Sequence, residues 1–250
     1  MYLKHLTPLF LAALVSMPVA ALGANIKVSG STTVASAVMI PMEAEIESSS
    51  GVELDITANG SSRGIDDLVN GRSDLAMISA PLEVTVAKIN KKSPGSLSGT
   101  DLNGHMIGET RVAFVVHPSN PVKKLTLTQV ADILSGKITN WSAVGGNNMP
   151  IVILAETAGG GVRSLVESEL VGGASITGSI REFPNATQIP QVTSQLPPAF
   201  GLAPLKSAGS NGVQIVQTDE PISQPLILVT NGAVGGNVQA VIDATQELGS

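Results

Sequence analysis

Residues 52–79 read VELDITANGSSRGIDDLVNGRSDLAMIS, and their grammar sets the fold. VELDIT, residues 52–57, alternates apolar and polar side chains as a half-buried strand does. NGSSRG, residues 59–64, turns the chain into a helix over Ile65 to Asn70, and DLAMIS, residues 74–79, is a short apolar run that reads as a third strand. Strand, helix and strand in that order imply a parallel sheet with crossover helices. Gly60 to Gly64 also matches G-x-S-x-G, the spacing that seats a nucleophilic serine on a strand-to-helix turn. Ser62 is therefore either a nucleophile or part of a helix start that offers hydroxyl and N–H groups to a bound molecule.

The same grammar extends both ways along the chain. Upstream, NIKVSG (25–30) leads into a helical pattern from Thr33 to Glu47, which Pro41 is expected to kink or break. Downstream, residues 93–104 are polar and glycine-rich and read as a surface loop. TRVAFVVHPSNP (110–121) follows as a buried strand ended by prolines. The next helix takes its cap from Thr126 or Thr128, places Val130, Ile133 and Leu134 at helical spacing, and stops at Gly136. MPIVILAETAGGGVRSLVESEL (149–170) repeats strand, glycine-rich turn and helix. AFGLAP, GVQIVQ and QPLILVTNG supply further strands, and VQAVIDATQEL (238–248) closes the chain as an amphipathic helix.

Composition narrows the function classes. Lys4 and His5, the apolar stretch PLFLAALVSMPVAAL and the small residues of ALGA form a targeting segment over residues 1–24, with cleavage expected after Ala24, Gly23 or Ala21. Its apolar stretch is shorter than the roughly 20 residues a membrane span needs. The chain has no cysteine, hence no disulfide and no lipid-bearing cysteine at the cleavage point, so a soluble exported protein is expected. Removing Lys4 with that segment leaves 13 basic and 20 acidic residues and moves the formal charge from −6 to −7. An acidic chain without a basic cluster argues against nucleic acid as a partner. Glu43, Glu45, Glu47, Asp66 and Asp67 read as solvated helix faces, and the histidine spacing fits no metal site.

Three turns share one design, in which a strand ends in hydroxyl or glycine residues that open a helix. They are SGSTTV (29–34), NGSSRG (59–64) and ETAGGGVR (156–163). The first turn of a helix carries unpaired N–H groups and partial positive charge, so convergent turns of this kind can hold an oxyanion. Each turn alone is equally an ordinary N-cap. A hydrolase built on Ser62 needs a later acid and histidine. Only His105 and His117 follow it, and both read as loop or strand-end histidines.

VSGSTTV, GSSRGIDDLVNGRSDLAMISAPL, VAFVVHPSNPVKKLTLTQVADILSGKITNW, FGLAPL and PISQPLILVTNG together resemble the phosphate-binding proteins of bacterial phosphate ABC importers, within the type II periplasmic binding-protein superfamily. The resemblance runs in order from about Ile26 to Ile242. It implies an α/β fold of two lobes, each a mainly parallel sheet flanked by helices, joined by two crossover strands. Lobe I is expected over residues 25–113 plus 222–250 and lobe II over 114–221. It further implies a small oxyanion, phosphate foremost, gripped between the lobes and passed to ABC permease subunits by a periplasmic, monomeric, non-enzymatic carrier without cofactor or metal. In the first lobe the ligand contacts implied are Ser31, Thr32, Thr33, Ser61, Ser62 and Ser79.

The second lobe departs from the family pattern, which is Arg-x-x-Gly-Ser-Gly-Thr-Arg. Over residues 155–163 the place of the leading Arg is taken as Ala155, of the Ser as Gly159 and of the Thr as Gly161, and only the final arginine, Arg163, survives. Each hydrogen bond to a charged ligand is worth roughly 1.5–3 kcal/mol, so these losses weaken phosphate binding by about a thousandfold or more. Two readings stay open. Backbone N–H groups of Gly159, Gly160 and Gly161 can form an anion nest, with Arg163 or Lys206 supplying charge; alternatively the site has decayed and the scaffold serves as an envelope or secreted interaction protein.

Overall fold

The computed structural model describes residues 24–209 and 212–249, so the candidate targeting segment lies, but for Ala24, outside the described residues. Strand β1 (Asn25–Gly30) buries Ile26 and Val28 and pairs in parallel with β2 (Glu53–Ala58) on one side and β3 (Leu75–Ile78) on the other. Helix α1 (Thr32–Val34) continues as a π-turn over Ala35–Met39 before the chain breaks around Pro41 and restarts as α2 (Glu43–Ser50). That break is the expected one: proline cannot donate to the preceding turn. Helix α3 (Ser61–Val69) lies directly on β1, because a Cβ on Gly64 would stand 2.5 Å from the Ser29 carbonyl oxygen. The last glycine of G-x-S-x-G is thus a packing glycine.

Helix α4 (Leu82–Lys92) precedes β4 (Leu102–Val116), a strand of 15 residues. It begins earlier than the sequence pattern suggests, inside the expected loop. Its first half is the edge strand of the first lobe, pairing only with the later β10 (Ser223–Asn231) and leaving several side chains exposed, so its apolar signal is weak. Its second half is buried and pairs with β8 (Ala199–Pro204) and β9 (Gln214–Thr218). Between them run β5 (Lys124–Leu125), α5 (Leu127–Leu134), β6 (Val152–Glu156), α6 (Gly161–Val171), β7 (Ile180–Phe183), α7 (Ile189–Thr193) and α8 (Leu205–Ala208), and α9 (Gly236–Gly249) ends the chain. Thr126 caps α5 through a reciprocal capping box with Gln129.

The strand order is β2-β1-β3-β10-β4-β8-β6-β7, with β4 and β10 antiparallel to their neighbours and the flanking trios β2-β1-β3 and β8-β6-β7 parallel. Buried apolar side chains gather in separate clusters. One draws on Ile26, Val28, Met39, Ile46 and Val241; the largest draws on Phe114, Trp141, Leu154 and Phe200. Trp141 stands edge-on to Phe200 at 5.9 Å and donates its indole N–H to the Pro198 carbonyl at 3.1 Å. The molecule is thus two α/β lobes threaded by β4 and β10. Among the described residues, no helix is long and apolar enough to cross a membrane.

Candidate functional site

The three turns singled out in the sequence converge at the boundary of the lobes. From the first lobe, Ser31 Oγ donates to Ser79 Oγ at 2.8 Å, and the Ser79 N–H donates to Ser61 Oγ at 3.4 Å. Ser31, Ser61 and Ser79 are buried, as are Thr32 and Thr33. Among the described residues the hydroxyls of Thr32 and Thr33 have no hydrogen-bond partner. Buried hydroxyls are normally satisfied; Asn59 Oδ1, Ser164 Oγ and Gln224 Oε1 are the other buried side-chain atoms without a partner among the described residues.

The second lobe presses its glycine turn straight onto this cluster. The Ser62 hydroxyl and N–H both donate to the Gly159 carbonyl, at 2.9 and 3.3 Å. A Cβ on Gly159 would stand 2.6 Å from Ser62 Oγ, and one on Gly161 would stand 1.9 Å from Ser79 Oγ and 2.8 Å from Ser61 Oγ. The triple glycine therefore reads as a contact surface that lets the lobes meet backbone to hydroxyl. Ser62 is spoken for by that seam. His105 bonds Thr230 and His117 bonds Ser119, so neither histidine stands as a base beside Ser62. Among the described residues, no three His, Asp or Glu side chains are grouped to hold a metal ion.

Sequence reasoning passed over Glu156. Counting seven residues back from Arg163 in the eight-residue family pattern reaches Glu156, not Ala155, and puts Gly160 and Val162 in the Ser and Thr places. The structure supports this register. Ala155 is buried in the apolar core, whereas the Glu156 carboxyl accepts the N–H groups of Val162 and Arg163 at 2.9 and 3.4 Å. An acid thus stands where the family pattern has a cation, and it occupies the first-turn donors of α6. The signal in the sequence was the one charged residue at the end of an otherwise apolar strand. Burial pushes the Glu156 carboxyl up to about 7, against the opposing pull of the Arg163, Val162 and Ala186 N–H groups and the Arg163 charge.

This has a stability consequence. The unfolded chain releases the proton near the ordinary value of 4.5 and the folded chain only near 7, so between these limits the folded state binds more protons and stability falls as pH rises. The shift corresponds to about 3 kcal/mol. Glu156→Gln keeps the shape and an acceptor for the α6 N–H groups without the ionisation. In urea unfolding between pH 4.5 and 8, the stability difference between variant and wild type is expected to grow by about that amount with rising pH; a difference that stays flat with pH overturns the assignment.

Arg163 does not reach the seam. Its guanidinium is buried and held by Glu167 at 2.9 Å, by Glu182, and by the Glu156 carbonyl at 3.0 Å. Lys206 donates to the Ala37 carbonyl at 3.3 Å. A second residue missed in the sequence is Gln224 on β10. It is fully buried, donates to the Ser79 carbonyl at 3.2 Å and, among the described residues, has no partner for its Oε1. Its sequence signal was a lone amide beside a continuous apolar run.

Comparison with known proteins agrees with this architecture. The family model described as a PBP superfamily domain matches residues 16–244. A phosphate-binding protein PstS 2 of Streptococcus pneumoniae serotype 4 is 30% identical over 123 residues, 49% of this chain and 38% of that protein. The phosphate-binding protein PstS of Bacillus subtilis strain 168 is 21% identical over 177 residues, 71% of this chain and 56% of that protein. The alignments thus span about two fifths to somewhat over half the length of these curated relatives. Among solved structures, a protein from Clostridium perfringens assigned as a phosphate ABC transporter substrate-binding protein, with phosphate bound, superposes with a TM-score of 0.72 at 26% identity, covering 88% of this chain and 92% of that one. An ABC-type phosphate transport receptor from Vibrio cholerae shares the fold with a TM-score of 0.65 at 24% identity, covering 89% and 93%. With its two-lobed sheet, its converging turns and a family match over nearly its whole length, the chain belongs to the PBP superfamily and within it is similar to PstS-type proteins.

Proposed function

We propose that the chain is an exported solute-binding protein that captures phosphate, or a related small oxyanion, between its lobes and delivers it to an ABC permease without covalent chemistry. The observation that carries this reading is the pair of buried, unpartnered hydroxyls on Thr32 and Thr33 beside the Ser31, Ser61 and Ser79 cluster. The names of its relatives point to the same ligand. In this reading residues 25–113 plus 222–250 form one lobe and 114–221 the other. Thr32, Thr33, Ser61, Ser62 and Ser79 supply donors from the first, and N–H groups of Gly159 to Gly161 enter when the seam parts. Binding then needs the Ser62 to Gly159 contacts to be exchanged for ligand contacts.

Calorimetry of the refolded, ligand-free protein with inorganic phosphate tests it. Binding at micromolar or tighter affinity is expected, weakened about tenfold or more by Thr32→Val and again by Thr33→Val, since each removes a hydrogen bond to a charged ligand. Absence of heat at millimolar phosphate defeats the reading. The acid at Glu156 and the self-sealing seam favour one alternative, a binding-protein scaffold kept for an interaction role, and that result would leave it standing.

A further inference from the structure

Beside the seam, α3, α4, the Thr157–Gly160 turn and the end of β7 line a cavity of about 590 Å³. Its walls carry four cations. Lys88, Lys91 and Lys92 sit at positions i, i+3 and i+4 of α4, hence on one face of that helix. Arg63 comes from the first turn of α3. Two carboxylates also line the cavity, and both are engaged: Asp66 by Arg72 and Glu182 by Arg163, neither of which lines it. Lys88 in turn is tied to the buried Glu167. Arg63, Lys91 and Lys92 remain, all exposed and without a carboxylate within ion-pair distance among the described residues.

Three uncompensated positive charges around one concavity are unusual in a chain whose formal charge is −6. A cleft with an excess of one sign of charge, here four cations against the two paired carboxylates Asp66 and Glu182, raises the local concentration of counter-ions. Lysines in the last turn of a helix also offset its dipole. That accounts for Lys91 and Lys92 taken alone, but not for Arg63, which sits at the opposite kind of helix end and faces the same space. The volume lies within the range of small-molecule sites, about 300–1,000 Å³, and far exceeds what a single phosphate fills. Ser93, Ser96 and Ser175 add hydroxyls to the wall.

We infer that this cavity is a second anion site, distinct from the Thr32 and Thr33 site, that takes a polyanion of the condensed-phosphate class, with phosphoryl groups spread far enough to meet Arg63 on one wall and Lys91 and Lys92 on the other. It shares Ser62, Gly159 and Gly160 with the seam, while Arg63, Lys91 and Lys92 lie outside it. Calorimetry with tripolyphosphate tests it on the triple variant Arg63→Gln, Lys91→Gln, Lys92→Gln, whose exposed positions leave folding intact. In the Thr32→Val background tripolyphosphate is expected to bind at least about tenfold more tightly than inorganic phosphate at low salt, with the preference shrinking as salt rises. The triple variant is expected to lose about tenfold or more in tripolyphosphate affinity and Thr32→Val is expected to lose little. The control Lys123→Gln, Lys124→Gln, Lys137→Gln removes the same charge elsewhere and is expected to bind as wild type. An equal loss in this control, unchanged tripolyphosphate binding in the triple variant, or no preference in the Thr32→Val background overturns the inference. The losses in the triple variant and in its control do not depend on whether inorganic phosphate binds at Thr32 and Thr33, and the preference over inorganic phosphate is read in the Thr32→Val background, where that site is weakened.

Discussion

Glu167→Ala is expected to destabilise the protein by about 3–5 kcal/mol, the cost of leaving buried charges without their counter-charge. Glu167 is fully buried on α6 and is the hub of an ion network. One oxygen accepts from Arg163 Nε at 2.9 Å and from the Ile176 N–H at 3.1 Å, and the other is paired with Lys88. Lys88 belongs to the first lobe and Arg163 to the second, so this carboxylate ties the lobes as well as organising one of them. Without it, among the described residues, Arg163 keeps only Glu182 and a carbonyl, while Lys88 keeps no carboxylate. Lys88 is already less basic than an ordinary lysine through burial and through the nearby charges of Arg163 and Lys91, and loss of Glu167 lowers it further. For a chain of this size the destabilisation corresponds to a fall in Tm of roughly 6–20 °C, measurable by calorimetry. Glu167→Gln retains an acceptor for the Ile176 N–H and is expected to fall between the two. A Tm within about 2 °C of wild type for Glu167→Ala would show that the network contributes nothing net.

The second large effect is expected from one methyl group. Gly161→Ala places a Cβ 1.9 Å from Ser79 Oγ and 2.8 Å from Ser61 Oγ. Rotating Ser79 relieves one contact but breaks its bond with Ser31, and the Ser61 contact remains. Because interiors are close-packed, the cheapest relief is to part the lobes, which leaves the folded core untouched. The variant is expected to be locked open and to lose less Tm than Glu167→Ala, because parting the lobes separates Lys88 from Glu167 but leaves Glu167 paired with Arg163. Small-angle scattering then gives a larger radius of gyration than wild type. Phosphate affinity drops by about a hundredfold or more, because the second-lobe donors no longer approach the first. A variant with wild-type dimensions and wild-type affinity sinks the view that these glycines exist to let the lobes meet.

Much of the fold was legible because its elements announce themselves locally. Alternation in VELDIT, the Thr126 cap with Gln129, and the break at Pro41 each follow from backbone chemistry within a few residues. The first half of β4 was hidden because an edge strand half open to water need not be apolar. At the site, the hydroxyl turns were readable as helix starts, and the structure brings them together. Arg163 looked available to a ligand because sequence shows the charge but not Glu167, Glu182 and the Glu156 carbonyl that hold it. Glu156 itself was missed through a slip of one residue in register, which on a strand exchanges the core face for the other. Gln224 was hidden for a different reason: its importance comes from lying next to Ser79, 145 positions away in the chain.

The Ser62 to Gly159 contact also supplies a clock. The Ser62 amide is the first-lobe donor in a bond to a second-lobe carbonyl, so its hydrogen can be traded for solvent deuterium only in moments when the lobes part. Neighbouring amides inside α3 are tied within their own helix and need local unfolding to exchange. The ratio of the two exchange rates therefore measures how often the cleft breathes, with no ligand added and no label attached, and gives each variant described above a common readout of opening.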